Sequence, residues 1–493
     1  METTSMQKKN SKNTLRLLIL AIITIDLVAS YFCFLQTSLL GDLANIVLPS
    51  PDYSPILSDP LGINLLITGG ESVGPNRFFA HWLPYTYFNN VPFFFQYFTN
   101  PIDSVYISCA ILKLGTHLGI TYILTKWIVK KSSFLDENFL FIFALINSMS
   151  LASPYGFFFP MRIIDQSIVY TFAYAFSFLF LLIYIHPFVN MYLGNRGLKL
   201  KWWEHLSLWL LSFMVIFNGP INAPAAILFS GLSLLGIWWH YQKEEDYTIN
   251  GLWQAIHAIP TNILFHFLWL ILLGFYSFYL GTFNSESSQE IPPILERLEL
   301  LWQGIIKVLF IVKTTPLPLI GLTVIAFFFL NKNHKSTAFK KLLSMTKYIS
   351  CFGLIYLLLL PLGGHRSYRN FILRFDTMLP ITFGIFIVFG ASVHLLLKEL
   401  SPQKSKKLKI AIISLVTIAT FIDSISLYPI RNTCERSTLF QLSEATAEPV
   451  LIPDCSIMSW GTITPTKNVS RQAELFYRWN ITKKPLVYYH KSK

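Results

Sequence analysis

The chain has 493 residues, of which 53% are hydrophobic and only 13% charged, and a formal net charge of +13; its mean hydropathy is +0.49. Soluble domains carry about 25% charged residues, so this composition excludes an ordinary soluble protein. The excess of Lys and Arg does not point to nucleic acid, because most lysines stand in short loops between apolar runs, the pattern that sets membrane topology.

Apolar windows of about 18 or more residues recur from end to end. The first run follows the basic stretch "MQKKNSKNTLR" and has no small-residue cleavage site behind it, so it reads as a retained helix with a cytoplasmic N-terminus. Further basic loops are "TKWIVKK" (to Lys131), "NRGLKLKWW" (to Trp203), "NKNHKSTAFKK" (to Lys341) and "KELSPQKSKKLK" (to Lys409). The alternate loops are long, acidic or nearly free of lysine. Residues 36–103 hold Arg77 as their only Lys or Arg.

Alternating sides gives eleven expected spans, near 15–35, 104–127, 138–152, 163–187, 205–219, 221–241, 256–281, 317–330, 345–362, 378–397 and 409–427. The expectation is an all-α polytopic membrane protein, N-in and C-out. It divides into a transmembrane domain (1–427), with 36–103 as its first outer loop, and a small α/β extracytoplasmic domain (428–493). The outer loop is rich in Pro, Gly, Asp and aromatics and should form short helices at the membrane surface. "EIPPILERLELLWQGIIKVLFIVK" reads as an interfacial helix before the eighth span. In the tail, "PVLIPDCSIMSW" reads as a strand and "AELFYRWNITKKPLVYY" as an amphipathic helix followed by a strand. Cys434 and Cys455, both in the tail, are expected to pair, which would contribute roughly 3 kcal/mol.

The residues that could carry chemistry cluster on the expected outer side. "GGHRSYRNFILRFD" puts His365, Arg366, Arg369 and Arg374 between two spans, against the positive-inside trend. Read as a helix, it would confine the three guanidinium groups to one arc of roughly 140°. Arginines at a membrane edge either snorkel to headgroups, here with an ion pair to Asp376, or clamp a phosphate through two donors. Asp42 stands a few residues beyond the first span, where a carboxylate can act as general base on an acceptor hydroxyl. Asp52 and Asp59 are alternatives that also fit turn chemistry beside proline, and Glu71 is a weaker one. Arg77 and His81, four apart, would share a helical face and bind substrate. Lys113 and His117 share a face inside the second span, and Arg162 and Asp165 lie at the outer end of the fourth. Ionisable groups at such depth are costly and usually paired or functional. No Walker loop, HExxH, CxxC, GxSxG or dinucleotide fingerprint occurs. No cofactor or metal site is implied, although a divalent cation is left open.

Together these features resemble the GT-C glycosyltransferases: an N-in first helix, a long outer loop with Asp42 just beyond it, about eleven spans, an outer cluster of Arg366, Arg369 and Arg374, and a small extracytoplasmic tail. "LLGDLANI" carries one acid where many members carry a pair. The resemblance implies an inverting transferase of the bacterial O-antigen or lipid-modifying type in the inner membrane, its site facing the periplasm. Its partners would be a polyprenyl-phosphate sugar donor and a glycan or lipid acceptor. On this mapping Asp42 is the base and the arginines hold the donor phosphate. A flippase for lipid-linked glycans and an O-antigen polymerase are the competing expectations.

Overall fold

The computed structural model describes all residues except 1, 131–132, 134, 151–160, 195–199, 243–248, 288–291, 312–315, 332–335, 364–368, 426–431, 454, 456, 466–468 and 491–493. Every one of the eleven expected spans falls on a helix, but the helices are not equally long. Eight of the described helices are long and apolar enough to cross a membrane: Asn13–Leu35, Pro101–Val129, Ile168–Leu193, Asn222–Gln242, Thr261–Gly281, Thr337–Leu362, Phe375–Glu399 and Pro402–Ile425. The chain is thus an integral membrane protein. The runs read at 138–152, 205–219 and 317–330 form Glu137–Met149, Trp202–Ile216 and Leu317–Asn331, of 13, 15 and 15 residues. At 1.5 Å per residue these rise roughly 20 Å, short of the about 30 Å hydrocarbon core.

Local chemistry sets several boundaries. The Asn100 side chain accepts the Asp103 N–H at 2.9 Å and Pro101 occupies the first turn, starting Pro101–Val129. Asp136 accepts from Asn138 and Phe139 and starts Glu137–Met149. Inside the bundle, Phe375–Glu399 is the most enclosed span, with 72% of its apolar window buried, whereas Thr337–Leu362 has 11% and lies at the rim. Glu2–Leu35, Pro101–Val129, Glu137–Met149, Phe375–Glu399 and Pro402–Ile425 pack on one another around the main core.

Residues 36–103 form five short helices, Asp42–Val47, Ser54–Ser58, Ile63–Thr68, Phe78–Phe88 and Val91–Gln96. The tail holds the helix Thr433–Glu444, which the sequence reading did not include, the helix Ser470–Arg478, and two strands, Val450–Ile452 and Tyr488–His490, paired in parallel. Cys434 and Cys455 are paired as a disulfide, their Cα atoms 6.0 Å apart. Loop and tail share one apolar cluster with the ends of two spans: Leu43, Val47 and Phe88 meet Val105, Tyr106 and Phe172, and also Leu439, Trp479 and Tyr488. A boundary at 427/428 therefore runs through a single core. The helix Ile294–Ile306 exposes Leu295, Leu298 and Trp302 on one face, as an interfacial helix would. Its Gly304 sits against the backbone of Leu373, where a Cβ would lie 2.8 Å from the Leu373 carbonyl oxygen. This helix braces the segment that carries the later arginines.

Candidate active site

Asp42 opens the helix Asp42–Val47, whose Leu43, Ala44, Ile46 and Val47 are buried in the shared core. The carboxylate is thus the half-buried polar tip of an element held by apolar packing. Its Oδ1 accepts the indole N–H of Trp460 at 3.0 Å. Trp460 comes from the tail, 418 residues away. It is held there by the N–H of Met458, which donates to the Leu39 carbonyl at 3.1 Å.

The Trp460 ring stacks on Tyr170 with centroids 6.2 Å apart and planes 29° apart. Tyr170 ends the first turn of the span Ile168–Leu193, started by Ser167. Its hydroxyl accepts from Arg369 Nη2 at 3.0 Å, and the same guanidinium carbon lies 5.4 Å from its ring centroid. Tyr174 lies edge-on to Tyr170 at 6.1 Å, within electrostatic reach of Arg374, Arg369, Arg77 and Asp376. Between them the helix passes through a π-helical turn, Thr171–Phe176. Gly219 packs against Ala173 and Ser177 there so closely that no side chain fits. Such single-turn distortions recur at functional sites.

Asp42 and Arg369 are thus linked through a pair of stacked rings, Asp42 contacting Trp460 and Arg369 contacting Tyr170. Arg374 is placed differently. Its Nε and Nη2 bind the two oxygens of the buried Asp376 at 3.0 and 2.8 Å, and Nη1 takes no part in that fork. The expected helical arc is not formed: residues 369–374 are irregular, and Arg374 is the extended residue that starts Phe375–Glu399, its N–H donating to the Thr377 hydroxyl at 2.9 Å. A helix there would forfeit that cap. Behind the pair lie Arg162, its guanidinium 5.4 Å from the Phe375 ring, and Asp165, which accepts the Ser167 N–H at 2.6 Å. Burial pushes the Asp165 carboxyl up, opposed chiefly by the charge of Arg162.

The other candidates separate. His365 and Arg366 lie outside the described residues. Asp52 is exposed in a turn, and Glu71 is exposed in irregular chain. Asp59 accepts the Leu65 N–H at 3.0 Å and closes one short helix onto the next, which is the turn role. Arg77 starts Phe78–Phe88, stands 4.0 Å from Glu286 and reaches the field around Tyr174. His81 packs on Tyr53, ring centroids 5.1 Å apart. Burial, helped by the Arg77 charge, pulls its basicity down to about 3, which favours the neutral ring. Lys113 is enclosed by the Thr37 hydroxyl at 2.7 Å and the Gln166 carbonyl at 2.6 Å. His117 meets Ser150 at 3.0 Å.

Sequence reasoning missed Tyr170, Tyr174 and Trp460. The two tyrosines, four apart at a span end, were indistinguishable from an interfacial aromatic belt, and Trp460 in "MSWGT" carries no local signal.

No family model matches the chain, and no curated protein matches it. Among solved structures, a crystal structure of the Archaeoglobus fulgidus oligosaccharyltransferase in complex with Zn and sulfate is similar at 12% identity and a TM-score of 0.38. The match covers 94% of this chain and 61% of that one, so the chain spans less than two thirds of its length. A likeness at that score says nothing about activity.

Proposed function

We propose that the protein transfers a sugar from a polyprenyl-phosphate donor to a glycan or lipid acceptor at the extracytoplasmic face of a bacterial inner membrane. The observation that supports this reading is the run of contacts from Asp42 through Trp460 and Tyr170 to Arg369. A base and a phosphate anchor must flank the anomeric carbon from opposite sides if the acceptor is to displace the phosphate in line, and such a displacement inverts the anomeric centre.

In this mechanism Asp42 Oδ2, which Trp460 leaves unengaged, accepts the proton of the attacking hydroxyl. The new glycosidic bond forms as the bond from the anomeric carbon to the phosphate oxygen breaks. The departing phosphate gains charge during that step, and Arg369 stabilises it, with Arg77 and the Nη1 side of Arg374 adding to the field. The donor's polyprenyl chain would lie in the membrane beside the span Ile168–Leu193, which explains why no nucleotide motif is needed.

Two observations favour an enzyme over a flippase. Of the groups a passage would use, Lys113, His117 and Asp165, each is engaged by neighbouring chain: Lys113 by Thr37 and Gln166, His117 by Ser150 and Asp165 by the Ser167 N–H. Arg77, Arg369 and Arg374 all act on Tyr174 near the start of the span Ile168–Leu193, not on groups spread along a passage. The test is Asp42→Asn in purified protein reconstituted with donor lipid. Turnover should fall by about a hundredfold or more while polyprenyl phosphate is still bound. Unchanged turnover would sink the assignment.

A further inference from the structure

We infer that Trp460 is the positioning residue for the Asp42 carboxylate, which makes the C-terminal tail a working part of the reacting site. This inference rests on the proposed role of Asp42, and it deepens that role by naming what fixes the base.

A lone carboxylate at a membrane surface can rotate about its side-chain bonds and present either oxygen or neither. The indole N–H of Trp460 restricts that freedom by donating to Oδ1 at 3.0 Å, which leaves Oδ2 outside this bond. An indole is well suited to this, because it donates and cannot accept, so it leaves the carboxylate as the acceptor. The indole is itself fixed on two sides. Tyr170 stacks under the ring, and Gly41 leaves the space above it: a Cβ on Gly41 would lie 2.8 Å from Cδ1, 3.0 Å from Nε1 and 3.1 Å from the backbone nitrogen of Trp460. Gly41 has an ordinary right-handed conformation, φ −58° and ψ −29°, so its lack of a side chain serves clearance, not backbone freedom. Two residues before Trp460, Met458 takes a left-handed conformation at φ 43° as its N–H reaches the Leu39 carbonyl. That contact registers the tail against the residues just before Asp42. Even so, Trp460 stays 52% exposed.

The stacked pair of rings has a second consequence for the same residue. Tyr170 links Trp460 to Arg369, so one stack sets both the orientation of the base and its distance from the phosphate anchor. Precision of this kind comes from rigid supports behind the reacting groups.

The experiment compares wild type, Trp460→Phe and Trp460→Ala in the full-length protein in lipid nanodiscs. Phe keeps a ring on Tyr170 and removes the N–H, so it separates orientation from packing. One readout needs no substrate: labelling of Asp42 by a water-soluble carbodiimide at fixed pH, followed by mass spectrometry with the exposed Asp52 as internal reference. Trp460→Phe should raise labelling of Asp42 roughly tenfold or more, about the size expected for losing one hydrogen bond to a charged group, and leave Asp52 unchanged. The second readout is release of polyprenyl phosphate from a synthetic polyprenyl-phosphoglucose. Here Trp460→Phe should lower kcat about tenfold with KM within twofold, and it should add little to the loss already caused by Asp42→Glu, because positioning acts only through the carboxylate. Unchanged Asp42 labelling in Trp460→Phe overturns the inference, as does an equal further loss in the Asp42→Glu background. Altered labelling together with full turnover in Asp42→Asn overturns the proposed function and leaves the Trp460–Asp42 pairing standing.

Discussion

Arg374 grips Asp376 through two nitrogens, Nε at 3.0 Å and Nη2 at 2.8 Å, with the carboxylate almost fully buried. Most of this guanidinium is therefore committed to the start of the helix Phe375–Glu399. Arg369, five residues earlier, turns instead to a tyrosine beside Asp42's aromatic partner. The two arginines read as equivalent from sequence are not equivalent in space.

Breaking that grip should cost stability before it costs binding. Asp376→Ala should destabilise by roughly 3 kcal/mol, because it leaves a guanidinium in a desolvated place without its counter-charge. Arg374→Ala should cost a similar amount, and the double variant less than the sum of the two. Thermal unfolding of the detergent-solubilised variants measures this. Strict additivity would mean that the pair does not act as a unit.

Arg369→Ala should weaken binding of polyprenyl phosphate in vesicles by about tenfold to a hundredfold, the worth of a charge-assisted contact, with little change in melting temperature. Arg369→Lys should recover only part of it, since an ammonium cannot hold a tyrosine hydroxyl and a phosphate in one planar fork. Full recovery by lysine would reduce the site's requirement to charge alone.

Gly41→Ala should push Trp460 off Asp42, because the new methyl meets the indole and also the backbone nitrogen of Trp460, which cannot swing aside. The expected stability loss is about 1–3 kcal/mol, typical of overpacking, while turnover falls as far as in Trp460→Ala. Wild-type turnover in this variant would show that the tail adjusts freely.

Glu435 should make docking of the tail sensitive to pH. It sits in the helix Thr433–Glu444 and is buried, with both oxygens on the Leu39 N–H at 3.0 and 3.1 Å and one at 2.8 Å from the Tyr106 hydroxyl. Burial pushes its carboxyl up to about 8 from an ordinary 4.5. The folded state thus binds the proton more tightly than the unfolded one, and the sign follows: stability declines as pH rises from 4.5 to about 8 and levels off above. Glu435→Gln should flatten the melting temperature over that window. A slope unchanged by the substitution would assign the pH dependence to another group.

Much of the architecture was legible because it follows from local rules. Runs of apolar residues must satisfy their backbone polar groups internally in a membrane, so they become helices, and all eleven did. Length was less legible. The third, fifth and eighth runs merge apolar residues with flanking chain, and hydropathy alone does not show where a helix stops. The tail's strands were visible as short apolar patches in "PVLIP" and "PLVYY", but their pairing joins residues 38 apart, Val450 with Tyr488.

The sequence by itself determined a multi-span membrane protein with an acidic residue just past its first span and a cluster of arginines late in the chain, because charge and hydropathy act residue by residue. Only the tertiary structure decided which arginine reaches Tyr170, and that a tryptophan from the tail donates to the acid. Those outcomes depend on contacts between residues hundreds of positions apart, such as Asp42 with Trp460 and Tyr170 with Arg369. They exist because loop, tail and span ends bury their apolar faces in one common core, and no local pattern encodes a partner that distant.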